Sequence, residues 1–125
     1  MSRSWLLYLD DLIAAAAKID RLTHGRDVEQ LAGDEAAFDA VLFNLQVIGE
    51  AIKRLPPKAT SQLSEAHRSG PARLRDLIAH HYFAIDPELI WEVATRHVPA
   101  LLAQAQQVQG ATDPQSGEAP IRKPD

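Results

Sequence analysis

The sequence predicts an all-α fold: an antiparallel four-helix bundle with short extra helices and a disordered C-terminal tail. Three observations carry that expectation. Apolar residues recur at spacings of three and four along the long segments, no stretch shows strand alternation, and short links between the segments favour antiparallel neighbours. The chain has 125 residues, 46% of them hydrophobic, which suits one compact domain with its own core. The expected division is a helical domain over residues 1–109 and a tail over 110–125. No internal repeat is visible.

Residues 5–22 read as the first helix, with Trp5, Leu9, Leu12, Ala16 and Ile19 on one stripe and Leu6 and Ile13 widening it. Thr23-His24-Gly25 is a stop, with Gly25 free to take positive φ at the C-cap. Asp27 to Leu31 are expected to form one or two turns before Gly33. Asp34 then caps the clearest helix, in which Phe38, Val41, Leu45, Ile48, Ile52 and Leu55 form the seam. Gly49 sits inside that helix. A mid-helix glycine costs about 1 kcal/mol relative to alanine, so a close helix crossing is expected there. Pro56-Pro57 ends the helix, because the second ring disfavours helical geometry at the residue before it.

Residues 58–68 are compatible with a short helix, and Ser69-Gly70-Pro71 reads as a breaker. A third helix is expected from about Ala72 to Phe83. The fourth opens with Asp86 as cap and Pro87 at the first helical position. Its stripe is Ile90, Val93, His97, Leu101, Gln104 and Val108, and Pro99 should kink or split it. From Gly110 onward Pro114, Ser116, Gly117, Pro120 and Pro124 leave no periodic apolar face, so this tail is expected to be disordered.

Composition narrows the function classes. The net charge of -4 weighs against a protein that grips nucleic acid by bulk charge. Charge is uneven, however: from Lys53 to Arg75 the bases are Lys53, Arg54, Lys58, Arg68, Arg73 and Arg75, against Glu65 alone. That stretch either attracts phosphate locally or is a solvated face with chance clustering. With no cysteine there is neither a disulfide framework nor a thiolate metal site. The absence of a long apolar run argues against a membrane span, and the N-terminus lacks a signal peptide's apolar block. A cytoplasmic protein is the simplest expectation. His24, His67 and His97 have no metal-ligand spacing, and no His-Glu-x-x-His string, phosphate loop or nucleophilic triad occurs. Neither metal nor cofactor is expected.

The chemistry-bearing segment is Arg73-Leu74-Arg75-Asp76-Leu77-Ile78-Ala79-His80-His81-Tyr82-Phe83. Arg75, His80 and Tyr82 match an Arg-x4-His-x-Tyr signature. Two further blocks are in register with it: Ile48-Gly49-Glu50-Ala51-Ile52-Lys53-Arg54-Leu55, and Trp91 followed by Val98-Pro99-Ala100-Leu101. Over roughly residues 5–105 the chain resembles the HepT-like branch of the HEPN superfamily. It departs from the family pattern at Asp76, where Asn is common, and at Gly70-Pro71-Ala72, near which the family commonly has tryptophan.

The resemblance implies a HEPN-like bundle that dimerises and cleaves RNA, transfer RNA being the expected class, as the toxin of a toxin–antitoxin pair. It also implies a minimal nucleotidyltransferase antitoxin that attaches AMP to Tyr82. His80 is the candidate acid/base and Arg75 the phosphate-holding group, with Asp76 one turn before His80 as the candidate orienting carboxylate. At about 100° per residue, Arg75 and His80 point roughly 140° apart. Arg75 and Tyr82 share one strip; Asp76 and His80 share another. One helix does not easily aim both strips at one atom, whereas two copies about a two-fold axis can. Glu50 either supports the site or forms an ordinary surface ion pair, and His81 is not diagnostic. The competing expectation is a non-catalytic nucleotide- or partner-binding subunit beside a nucleotidyltransferase.

Overall fold

A computed structural model describes residues 4–112. Its long helices are α1 (Trp5–Thr23), α3 (Glu35–Arg54), α5 (Glu65–His81) and α7 (Val98–Thr112). Between them lie α2 (Val28–Gly33), α4 (Pro57–Thr60) and α6 (Pro87–Glu92), with a 3₁₀ turn at Tyr82–Ala84 and a π-helical turn at Val93–His97. No strand occurs among the described residues. The chain is an all-α bundle, and none of the described helices is long and apolar enough to cross a membrane.

Local chemistry sets the helix boundaries. Gly25 adopts φ 74° after α1, a conformation glycine enters without a Cβ penalty. Asp27 and Gln30 form a reciprocal capping box on α2. The Asp34 carboxylate accepts the Ala37 N–H at 3.1 Å and pairs with Arg26. The Ala37 hydrogen bond, then the one from Arg26, hold its pKa below the usual carboxylate value. Leu55, preceding Pro56, is extended and closes α3. Asp86 caps α6 through the Glu88 N–H, with Pro87 in the first turn.

The seams meet in one core. Leu9, Leu12 and Ile19 of α1, Val41, Leu45 and Ile48 of α3, and Leu101 and Val108 of α7 are all fully buried. α1 packs on α3 and α7, and α3 packs on α5. Cross-links show the antiparallel directions. Gln109 reaches back to Asp10, and the Ser64 N–H donates to Gln104 Oε1 at 2.9 Å. His67 Nδ1 lies 3.0 Å from His97 Nδ1, tying α5 to the π turn.

One expected helix break is revised. Ser69-Gly70-Pro71 does not stop a helix: α5 starts at Glu65, runs through Pro71 and ends at His81, leaving Tyr82 and Phe83 in the 3₁₀ turn. An interior proline costs about 3 kcal/mol, and burial offsets it here. Pro71 is fully buried, and a Cβ on Gly70 would lie 3.3 Å from Val93. The short helix expected within 58–68 is reduced to Pro57–Thr60. The expected break at Pro99 takes the form of the π turn just before it, where the Val98 N–H reaches Val93 O. The wider turn accommodates a residue that lacks an N–H and crowds the carbonyl four positions back. Helix α7 continues through residues 110–112, which were assigned to the tail; residues 113–125 of that tail lie outside the described residues.

Candidate functional site

The site grows from the α3–α5 crossing. Gly49 lets the two helices touch: a Cβ there would sit 2.7 Å from Arg75 Cβ and 2.8 Å from the Pro71 carbonyl oxygen. The next residue, Glu50, therefore lies beside Arg75. Arg75 Nε donates to Glu50 Oε1 at 2.9 Å, and Arg54 Nε donates to Glu50 Oε2 at 2.8 Å. These charge-assisted bonds, that of Arg54 first, outweigh desolvation and hold the Glu50 carboxyl below its ordinary pKa.

Arg75 is also bound from its own helix, its Nη1 donating to Asp76 Oδ1 at 2.6 Å. A guanidinium has five N–H donors; one Nη1 hydrogen and both on Nη2 remain for a ligand. The Arg75 side chain keeps 30% of its exposure, so those donors are fixed in direction yet reachable. Asp76 was expected to orient His80. Its carboxylate instead bonds Arg75, because the neighbouring guanidinium supplies a full charge at close range.

His80 lies exposed in the last turn of α5 and makes no hydrogen bond or ion pair among the described residues. His81 is likewise exposed. Within one chain, then, Arg75 is turned toward α3, and His80 shares the outward strip with Asp76.

Tyr82 follows on the 3₁₀ turn. Its hydroxyl donates to Asp39 Oδ1 at 2.9 Å, and it remains 46% exposed. That hydrogen bond, and then the Asp39 charge, raise the phenol's pKa above the ordinary value. Phe83 meets Tyr82 edge-to-face and is 99% exposed. Asp39 was missed by the sequence reading, since nothing in its spacing links it to a residue 43 positions away. The Glu50–Arg54 pair, by contrast, has a readable i,i+4 spacing.

Beside Arg75 a groove of about 400 Å³ opens between α1, α3 and α5, lined by Tyr8, Asp11, Phe43, Gln46, Val47, Glu50, Ala51, Arg75 and Ala79. No three His, Cys, Asp or Glu side chains cluster as metal ligands among the described residues.

Comparison with known proteins places the chain in a family. The family model described as "Ribonuclease HepT-like" matches residues 12–108. "Putative RNase MJ0127" of Methanocaldococcus jannaschii is 32% identical over 101 residues, covering 81% of this chain and 84% of that protein. "Probable ribonuclease HepT" of Thermococcus cleftensis is 32% identical over 101 residues, covering 81% of this chain and 92% of that one. No solved structure matches the chain. A family match over most of the helical core, with the Arg-x4-His-x-Tyr residues in place on α5 and the turn after it, shows that this protein belongs to the HepT-like ribonuclease family.

Proposed function

We propose that the protein is a cytoplasmic, metal-independent endoribonuclease: the toxin of a HepT-type toxin–antitoxin pair, acting on RNA and specifically on transfer RNA. The observation that carries the reading is the Arg75 guanidinium. Glu50 at Nε and Asp76 at Nη1 fix it, and its remaining N–H groups stay available beside a groove that Arg75 lines. Such a group is suited to a phosphate whose oxygens gain charge in the transition state.

Cleavage needs a base and an acid as well. His80 is the one candidate on the motif helix that matches the family signature. Its outward direction, with the exposed Phe83 on the turn beyond, supports a working unit of two chains. In a homodimer the two copies supply two imidazoles and two guanidinium groups around one phosphate. One imidazole removes the proton from the ribose 2′-hydroxyl. The O2′–P bond forms as the P–O5′ bond breaks, and the other imidazolium protonates the departing O5′. The products end in a 2′,3′-cyclic phosphate and a 5′-hydroxyl.

Silencing by a partner nucleotidyltransferase follows the same geometry. AMP joined to the Tyr82 oxygen removes the proton given to Asp39 and adds a phosphate charge beside α3, the helix toward which Arg75 is also turned. A substrate phosphate is then excluded by charge and by bulk. Incubating the pure protein with total transfer RNA in a chelator tests the activity. Shortened products with cyclic phosphate ends are expected, lost in Arg75→Ala and His80→Ala while helicity and dimer mass are unchanged. A double variant that cuts as fast as wild type refutes the assignment.

One observation favours a second reading. Arg75 and Arg54 are matched locally by Glu50 and Asp76, and the chain's net charge is -4, which suits a nucleotide- or partner-binding subunit without turnover. Intact transfer RNA together with tight association to the nucleotidyltransferase selects that reading.

A further inference from the structure

We infer that the groove between α1, α3 and α5 is a nucleobase subsite: it takes an unpaired base next to the phosphate held by Arg75. The inference rests on the nucleotide-handling role proposed for Arg75. It adds a binding site and two specificity-determining residues, Phe43 and Gln46.

The groove's size comes first. Its volume of about 400 Å³ falls within the range of small-ligand sites, roughly 300–1,000 Å³, and suits one nucleoside rather than a helix or a duplex. Its walls come next. Phe43 is a large aromatic of α3 that stands outside its seam, 63% exposed and facing the groove. Tyr8, Val47 and Ala51 continue the apolar wall. A flat apolar wall of this kind accepts the face of any base, which is how sequence-tolerant stacking works.

Gln46 supplies the polar element. It lines the groove half-buried, and its amide makes no hydrogen bond among the described residues. A glutamine amide offers a donor beside an acceptor, the pattern that pairs with a base edge. Arg75 completes the arrangement at the same groove, with donors directed by Glu50 and Asp76. Phosphate donors, an exposed ring and an unpaired amide lining one nucleoside-sized space describe a nucleotide rather than a peptide segment. A second copy of the chain is the other occupant the groove could take, and it would leave the Gln46 amide to be matched by chance.

The test compares adenosine 5′-monophosphate with ribose 5-phosphate, binding each to the full-length protein by calorimetry or chemical-shift titration. The nucleotide should bind more tightly than the sugar phosphate. Phe43→Ala should weaken the nucleotide alone, on the order of tenfold or more as expected for one lost stacking contact. Gln46→Ala should alter the preference among the four nucleoside monophosphates, and Gln46→Glu should shift it toward bases presenting an amino group. Sedimentation should give the same oligomeric state for all variants. Equal binding of nucleotide and sugar phosphate, or nucleotide binding untouched by Phe43→Ala, overturns the subsite. Dissociation of a dimer by Phe43→Ala, with nucleotide binding intact, assigns the groove to a second copy instead. If no RNA is ever cut but the nucleotide preference and its loss in Phe43→Ala are seen, the subsite stands and only the nuclease reading falls.

Discussion

Gly49→Ala separates a helix-propensity effect from a packing effect, because the two have opposite signs. On propensity alone, alanine in the middle of α3 stabilises by about 1 kcal/mol. The tertiary structure argues the reverse. The new Cβ would lie 2.7 Å from Arg75 Cβ and 2.8 Å from Pro71 O, and reaching an ordinary 3.4 Å contact requires α5 to retreat by about 0.7 Å. Neither obstacle can rotate away, since one is a carbonyl and the other is bonded directly to the backbone. Overpacking a tight contact costs about 1–3 kcal/mol. With the backbone forced to move, the upper part of that range applies, and the net loss is about 1–2 kcal/mol after the propensity gain. For a domain of this size that is a fall in Tm of roughly 4–8 °C. The same retreat carries Arg75 from Glu50, stretching their 2.9 Å bond to about 3.6 Å, outside hydrogen-bonding range, unless the side chain rearranges. Urea melts of wild type and variant, with RNA cleavage measured on both, read the two consequences. A variant as stable as wild type, or more stable, refutes the close crossing.

Other outcomes follow from single contacts. His80→Ala should leave stability within about 0.5 kcal/mol of wild type, because an exposed residue without an internal partner contributes little; a larger loss in thermal melts would show that the side chain is structural. Glu50→Gln tests the depressed carboxyl. Glu50's contribution is present above its unfolded value near 4.5 and is lost as pH falls through its lower folded value, so the variant should show a flatter acid limb of stability against pH. Asp39→Ala should bring the Tyr82 phenol back toward an ordinary pKa, so that tyrosinate absorbance, corrected with Tyr82→Phe, appears at lower pH than in wild type. An unchanged titration would exclude the Asp39 bond in solution. Arg75→Lys should lose most RNA cleavage although the charge is kept, since an ammonium cannot bond Glu50 and Asp76 while presenting a planar fork to phosphate; cleavage at the wild-type rate would remove the geometric role of the guanidinium.

The motif was legible because it is local. Arg75, His80 and Tyr82 are fixed in order by one short segment, and a helical repeat alone shows that Arg75 and His80 diverge. Caps at Asp34 and Asp86 and the turn at Gly25 were equally legible, since each depends on neighbours within a few residues. Gly49 announced a close crossing but not its partner. The passage of α5 through Pro71 was not readable, because what packs on this stretch is distant in sequence: Gly49 lies against the Pro71 carbonyl and Val93 against Gly70. Asp76 was assigned to His80 by spacing, whereas the guanidinium next door holds it in space.

By itself the sequence determined the helical class, the apolar seams and the family signature, because helical periodicity, capping and motif spacing are short-range properties of the chain. Only the tertiary structure decided that Glu50 joins Arg54 to Arg75, that Asp39 holds Tyr82, and that Phe43 and Gln46 line the groove that Arg75 also lines. Those pairings depend on how closely α3 and α5 approach, a distance set by packing between residues more than twenty positions apart.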